Sequence, residues 1–562
     1  MQDYIYYNKL GLDFPLNEKI QVATNLEDIK DKSFLISNSN DVKNELLGLE
    51  IDYYIKNSKD SLAKKIENTL KLYEINATKF DFAQDVPQTI DNIPNSLMII
   101  YKNIDDFKNF TQNLSKDDFD LYKVEENLIK KIEGSIGNFE VIVDGGNRDI
   151  TLKTSQIIWF DENLEKKMSG IYDPNLLGEK IVLQTIKENL SGYNFFKTIT
   201  YDKTICQYNE RKDDICAKCV DVCPTNAITK DDKNRKLVFS LVDCIRCGNC
   251  VSICPSGSIN SAATSRESLY ELSSFYKNTK PLILSSKSNL SELDVDLDEN
   301  VLPLCTIGDI FDETIFLTYL QVSGSQLVYF SDNITKGTLE SINLLNEIYL
   351  KKFGKKAVFL ATNKEELKEA LALQEFIDGS YYDFNQRDMR KREIFSYRLE
   401  KLLDKEDLGV VKTTRDLSYA RVLVNEANCT LCLSCVGACN VDALFANEED
   451  FTLRVNPSLC TACGYCEIVC PESDCLTIKY DELELNSSWF SETILAKDNL
   501  FACVECGVEF ATTKAIEKIA KLMEPIFKTQ SPAKARSLYC CSNCKPKVMI
   551  MEELSKNEKY TN

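Results

Sequence analysis

Sixteen of the 23 cysteines stand where they can bind metal as sets. Cys216, Cys219, Cys223, Cys244, Cys247, Cys250 and Cys254 recur 216 residues later as Cys432, Cys435, Cys439, Cys460, Cys463, Cys466 and Cys470. Cys206 and Cys429 stand upstream of the two groups. The complete runs read C-x2-C-x2-C-x3-C. Iron takes soft thiolates, one for each iron of a cubane. A C-x2-C-x2-C loop bends round one face of the cube and offers three sulfurs, and the fourth comes from the sister motif. Zinc prefers C-x2-C pairs set apart by a longer gap. The spacing therefore predicts [4Fe–4S] chemistry, one-electron storage at four clusters in two pairs.

The ligand sets follow from the register. Cys429, Cys432, Cys435 and Cys470 are expected to hold one cluster, and Cys460, Cys463, Cys466 and Cys439 its neighbour. In the first module Cys244, Cys247, Cys250 and Cys223 form a regular set. Cys216, Cys219 and Cys254 form an incomplete one, because Asp213 stands in the register position of Cys429. Cys206 precedes Cys216 by nine intervening residues. Thiolate is the softer ligand and such a loop is long enough to close, so Cys206 is the expected fourth ligand. An Asp213 oxygen or a [3Fe–4S] cluster are the alternatives. Pro224, Pro255 and Pro471 follow the fourth cysteine of three motifs and end the ligand turn by fixing φ. Asn440 takes that place in the remaining motif. Both modules leave 20 residues between motifs, room for a hairpin over Ala227–Thr229 and Lys236–Ser240 and another over Leu444–Ala446 and Phe451–Val455.

Two further C-x2-C pairs, Cys503 with Cys506 and Cys541 with Cys544, have the donor set of a tetrahedral Zn²⁺ site in a zinc-ribbon-like segment. A further iron–sulfur cluster or a free dithiol is the alternative use, and Cys540 could replace Cys541. Cys305 precedes a helix expected near Asp309. A lowered thiol pKa is conceivable there, but a small buried hydrophobe is the preferred reading. Cys475 reads as a bystander. No catalytic residue is assigned.

These sulfurs need scaffolds. The fold class expected is multidomain α/β plus α+β. Residues 1–200 read as an α/β domain, with a helix over Asp60–Tyr73, a strand over Ser96–Tyr101, and a hairpin of Phe139–Val143 and Ile150–Phe160 about the turn Asp144–Asn147. Residues 201–265 form ferredoxin module 1. Residues 266–405 alternate buried strands (281–286, 326–331, 357–362) with helices (Asp309–Val322, Thr338–Phe353, Lys364–Phe376), as in a doubly wound parallel sheet. Residues 383–404 read as an exposed charged helix with Arg387, Arg390, Lys391, Arg392 and Arg398, a solvated face, with docking of an acidic partner as the alternative. Residues 420–485 form module 2. Residues 490–562 form the Cys-rich C-terminal domain, with a helical stretch at Thr513–Met523.

The totals exclude several functions. There is no histidine, so a histidine-based triad, an H-E-x-x-H zinc site and a histidine-held haem are all excluded. Neither a G-x-G-x-x-G nor a P-loop occurs. With 67 basic and 87 acidic side chains the net charge is −20, which disfavours nucleic acid as a partner. The start MQDYIYYNKLGLDF has no basic n-region or apolar h-region, and no apolar run is long enough to span a bilayer. With so many cysteines this predicts a reducing cytoplasm and no membrane insertion.

Both modules resemble the two-cluster bacterial ferredoxin family. The stretch CQYNERKDDICAKCVDVCPTNAI, followed by VDCIRCGNCVSICPSGSI, is also similar to larger multi-cluster 4Fe-4S proteins associated with formate dehydrogenases. That resemblance implies a cytoplasmic electron carrier near formate oxidation. LPLCTIGDIFDETIFLTYLQVSGSQLVYFS resembles the small subunit that links hydrogenases to heterodisulfide reductases. Tyr329, Phe330 and Ser331 stand where that family has further cysteines, so here the resemblance implies a docking scaffold. The expected function is a polyferredoxin that serves a formate dehydrogenase-like or hydrogenase-like enzyme. The alternatives are an assembly factor for a metalloenzyme and a self-contained low-potential reductase. The missing histidine and nucleotide motif weigh against the last.

Overall fold

The computed structural model describes residues 4–25, 27, 34–38, 46–114, 118–163, 165–285 and 290–558. Met1–Asp3, and Ser286 at the end of the expected strand 281–286, lie outside the described residues. The chain divides into two compact units. One comprises Met1–Lys203 and Tyr208–Asp388, the other Thr204–Gln207 and Met389–Asn562. The molecule is mixed α/β.

The first unit begins with a parallel sheet in the order Gln21–Ala23, Tyr4–Tyr7, Phe34–Ser37, Leu46–Leu47, followed by helices Leu49–Asn57 and Leu62–Phe82. A second parallel sheet has Ser96–Tyr101 and Gln156–Trp159 at its centre. Leu97 and Ile99 pack into one core and Met98 and Ile100 into another, so this strand is buried on both faces. The expected strand 150–160 breaks at Ser155. Asp149–Thr154 pairs antiparallel with Asn138–Asp144, whereas Gln156–Trp159 pairs parallel with Ser96–Tyr101. Ser155 donates its N–H to the Ser96 carbonyl at 3.1 Å, a polar bend that lets one run serve two sheets.

The module 1 hairpin is Ile228–Asp231 against Lys236–Phe239, and Ile199–Tyr201 pairs with Ile259–Ser261. The following sheet is wholly parallel, in the order Val301–Cys305, Lys280–Leu284, Leu327–Phe330, Val358–Ala361. Helices Glu313–Ser323, Lys336–Phe353 and Lys364–Leu373 connect or follow these strands. The winding reverses between Lys280–Leu284 and Leu327–Phe330, which is where such sheets open a crevice beyond their carboxyl ends. Here the Asp309 carboxylate occupies the crevice. It accepts hydrogen bonds from Ser285 Oγ, Tyr329 OH (2.9 Å), Ser331 Oγ (3.1 Å) and the Thr335 N–H (2.8 Å).

In the second unit, Ala420–Val424 pairs with Leu476–Tyr480, and Leu444–Asn447, Thr452–Val455 and Thr493–Lys497 form a three-stranded sheet. The hairpin Leu500–Ala502 and Glu509–Thr512 leads into helices Thr513–Gln530, Pro532–Ser537 and Lys545–Glu558. The charged helix is Lys391–Leu403, and its solvated reading is corrected: Lys391, Arg392 and Arg398 are buried. Arg392 Nη2 donates to the carbonyls of Leu417 (2.6 Å) and Ser418 (3.0 Å), and its guanidinium lies 3.9 Å from the Tyr419 ring centre. Backbone carbonyls and an aromatic face repay its desolvation.

Candidate iron–sulfur and metal sites

Three ligand loops share one backbone device. Arg246, Leu431 and Ala462, each just before a second cysteine, have φ of 59°, 53° and 51°. Gly248, Leu433 and Gly464, just after it, have φ of 86°, 61° and 85°. Two left-handed residues around one cysteine curl the chain so that successive side chains converge instead of alternating. Outside glycine that conformation is costly and is kept where the surroundings demand it. The fourth loop keeps only the later turn, at Ala217 with φ 128°. It departs where Asp213 replaces the cysteine. After each loop comes a short helix: Lys218–Asp221, Asn249–Ser252, Ser434–Ala438 and Tyr465–Ile468. Cys219, Cys250, Cys435 and Cys466 lie in those helices.

Several of the thiols interact electrostatically with one another within each module. The Cys250 thiol faces Cys244, Cys247 and Cys223, and also Cys254 of the neighbouring set. Cys216 faces Cys254. In the second unit Cys429 faces Cys432 and Cys470, and Cys435 faces Cys429 and Cys432. Cys460 faces Cys463 and Cys439, and Cys466 faces Cys460, Cys463, Cys439 and, across the module, Cys435. Burial first, then neighbouring thiols, pushes Cys216 up to about 11 and Cys435 and Cys460 up to about 12. Dry, crowded thiols resist becoming thiolates unless a cation gathers them, so metal binding and deprotonation are one event.

The surroundings fit an anionic cluster. Cys223, Cys244, Cys247 and Cys250 wall a cavity lined also by Ile199, Ile228, Ile307 and Ile310. Arg246 lines it too, with its guanidinium 3.9 Å from the Phe196 ring centre and a buried Nη2 that meets no acceptor. The buried Thr461 hydroxyl, beside Cys460, is likewise unpartnered. Asn249 Nδ2 reaches Cys247 Sγ at 3.6 Å, and the Ala462 N–H reaches Cys460 Sγ at 3.4 Å. Donors to ligand sulfur of this kind tune cluster potential.

Cys206 is placed with the second unit. Asn440 Nδ2 donates to the carbonyls of Thr204 (3.0 Å) and Cys206 (3.1 Å), and Gln207 Nε2 donates to Asn440 Oδ1 (2.9 Å). The residue that breaks the proline pattern thus holds the Cys206 segment. Asp213 is exposed.

Near the C-terminus the sulfurs of Cys503, Cys506, Cys541 and Cys544 all lie within 4.8 Å of one another. Cys540 is fully buried beside them, and its thiol donates to the Arg536 carbonyl at 3.4 Å, so the fourfold set takes Cys541. Burial raises the Cys503 pKa, but the backbone N–H groups of Cys541, Glu505 and Cys506 outweigh it and bring the thiol down to about 6. Sharing of protons with its neighbours lifts Cys544 to about 12. Four thiolates from two C-x2-C turns suit tetrahedral zinc.

Two other cysteines are clarified. Cys305 ends its strand, eight positions before helix Glu313–Ser323, and burial pushes its thiol up, not down. Cys475, expected as a bystander, is buried. It lines the same cavity as Cys429, Cys432, Cys435 and Cys470. Nothing local signalled this, because the pairing of Ala420–Val424 with Leu476–Tyr480 brings it there.

Residues 214–258 match a 4Fe-4S dicluster domain family, and residues 421–471 match a second family of the same description. The chain therefore carries two 4Fe-4S dicluster domains of ferredoxin type. It is also similar to indolepyruvate oxidoreductase subunit IorA of Pyrococcus horikoshii, 31% identical over 86 residues. That match spans 13% of this chain and 13% of the relative's length. Among the described residues no helix is long and apolar enough to cross a membrane.

Proposed function

We propose that this chain is an iron–sulfur electron-transfer protein, a polyferredoxin with four [4Fe–4S] sites that serves a larger cytoplasmic oxidoreductase of the formate dehydrogenase or hydrogenase kind. The observation that carries this is the pairing of sulfur sets within each module. Cys250 is within electrostatic reach of Cys254 in one, and Cys466 of Cys435 in the other. Bound at these sets, a [4Fe–4S] cluster supplies one-electron storage. The chain's own residues do the rest. The cysteines hold the irons, the buried Ile228 and Ile310 beside the first cavity exclude water, and Arg246 offsets negative charge. The likeness to an oxidoreductase subunit supports a place beside such an enzyme.

Each of the sixteen cysteines keeps the role assigned from the register, with Cys206 as the proposed fourth ligand beside Cys216, Cys219 and Cys254. Cys503, Cys506, Cys541 and Cys544 hold a structural zinc in this reading. The proposed segments are 1–200, 201–265, 266–405, 420–485 and 490–562, the α/β segments acting as docking scaffolds.

Anaerobically purified protein should contain about 16 irons per chain. Reduced with dithionite, it should give EPR signals of magnetically interacting [4Fe–4S]⁺ pairs. Iron-poor, colourless protein would overturn the reading. Cys206→Ala should lower the iron content, and unchanged iron would transfer the ligand role to Asp213. Co-purification from native cells identifies the donor and acceptor.

A further inference from the structure

Five sulfurs, not four, surround the first site of module 2. Cys475 is buried, and with Cys429, Cys432, Cys435 and Cys470 it lines one cavity. Its thiol is near enough to those of Cys429 and Cys470 to interact with both electrostatically. The loop from Cys470 to Cys475 is pinned there. Asn428 Nδ2 donates to the carbonyls of Ser473 (3.2 Å) and Asp474 (3.1 Å). Thr430 Oγ1 donates to Glu472 Oε1 at 2.8 Å, and the Asn425 N–H donates to the Cys475 carbonyl at 2.6 Å. Asp474, with φ 50°, turns the chain so that Cys475 enters the cavity. The rest of the lining is apolar apart from Thr430 and Glu472, and the Glu472 carboxylate is already engaged by the Thr430 hydroxyl and by Lys518, so thiolate is the softest further donor at hand.

We propose that Cys475 is a reserve iron ligand of this site, placed to take over the iron that Cys470 holds. Soft thiolate is what the vacated iron prefers, and an adjacent thiol needs only a side-chain rotation to supply it. The exchange moves no electrons. The iron–sulfur bond to Cys470 opens, Cys475 gives up its proton and bonds the same iron, and the proton passes to the departing Cys470 thiolate, or to water in a chain that lacks Cys470. While Cys470 is bound, the Cys475 thiol acts as a donor to the sulfurs of Cys429 and Cys470.

This role rests on the reading that Cys429, Cys432, Cys435 and Cys470 hold a [4Fe–4S] cluster. Full-length Cys470→Ala, purified anaerobically, should keep the wild-type iron content and show no three-iron EPR signal after mild oxidation. Cys470→Ala/Cys475→Ala should lose iron and show that signal. A three-iron signal from Cys470→Ala alone would overturn the proposal. Cys475→Val keeps all four expected ligands, so it gives a second measurement on intact protein. Its iron content should match wild type, and the midpoint potential of this site should fall as the thiol donor disappears. An unmoved potential would also overturn the proposal. The underlying reading fails separately: Cys432→Ala/Cys435→Ala with undiminished iron would show that no cluster sits there at all.

Discussion

Arg246 shows how one side chain can distinguish otherwise similar sites. Its register partners in the other loops are Ile215, Leu431 and Ala462, so only this loop carries a cation at that position. A positive charge near a cluster favours its reduced, more negative state. Arg246→Met should therefore lower the midpoint potential of the site of Cys223, Cys244, Cys247 and Cys250. A shift on the order of tens of millivolts is expected, read by EPR-monitored redox titration, with the iron content unchanged. An unmoved potential would leave Arg246 as packing against Phe196 alone. The cysteine register was legible in the sequence because ligand spacing is a local property of the chain. Arg246's unpartnered nitrogen and the position of Cys475 were not, since both depend on residues brought together by strand pairing and loop curvature.

At the scale of elements, the first dicluster domain is locked onto the parallel sheet that follows it. The Asp309 N–H donates to the Cys247 carbonyl at 3.0 Å. A side chain at Gly248 would place its Cβ 2.5 Å from the Asp309 carbonyl oxygen, and one at Gly308 would stand 2.3 Å from that of Arg246. Both glycines also have positive φ, so steric space and backbone conformation each require them. Gly248→Ala should cost about 2 kcal/mol or more and release iron from this site first, measured by denaturant unfolding and iron analysis. The second clamp is Arg266. It donates to Asp312 Oδ2 (3.0 Å), the Ile259 carbonyl (2.8 Å) and the Val251 carbonyl (2.8 Å), all buried. Asp312→Ala would strand a buried guanidinium and uncap helix Glu313–Ser323, for a loss of roughly 3–5 kcal/mol. The alternation of strands and helices foretold this sheet, because its period is written in apolar runs. The helix Lys391–Leu403 misled, because a charged stretch looks solvated until carbonyls and Tyr419 close over Arg392. In the C-terminal fold the four sulfurs make a pH prediction. At neutral pH Cys503, at about 6, is largely thiolate, whereas Cys544, at about 12, keeps its proton. Zinc must displace that proton, so apparent affinity should rise with pH, by about tenfold per unit for each proton released. Competition with a chromophoric chelator between pH 6 and 8, together with proton release on zinc addition, checks the sign.

Across the whole molecule the decisive quantity is charge. The side chains give −20, and each cubane with four thiolates adds roughly −2 more. A protein this acidic repels nucleic acid and other acidic surfaces and is drawn to basic ones. Electron exchange with a partner should then be steered by long-range attraction, which salt screens over a Debye length of about 8 Å at physiological ionic strength. The bimolecular rate with a partner that docks through a basic face should fall steeply, by about tenfold or more, between low and 0.5 M salt. The rate with a small neutral mediator should hardly change. Stopped-flow oxidation of the reduced protein by each acceptor, over one salt series, separates the two. If both rates respond alike, the acidity serves solubility only. If only the protein partner's rate collapses, the negative surface selects the acceptor, and acidic substitutions on that acceptor's docking face should slow it without altering either protein's cluster potentials.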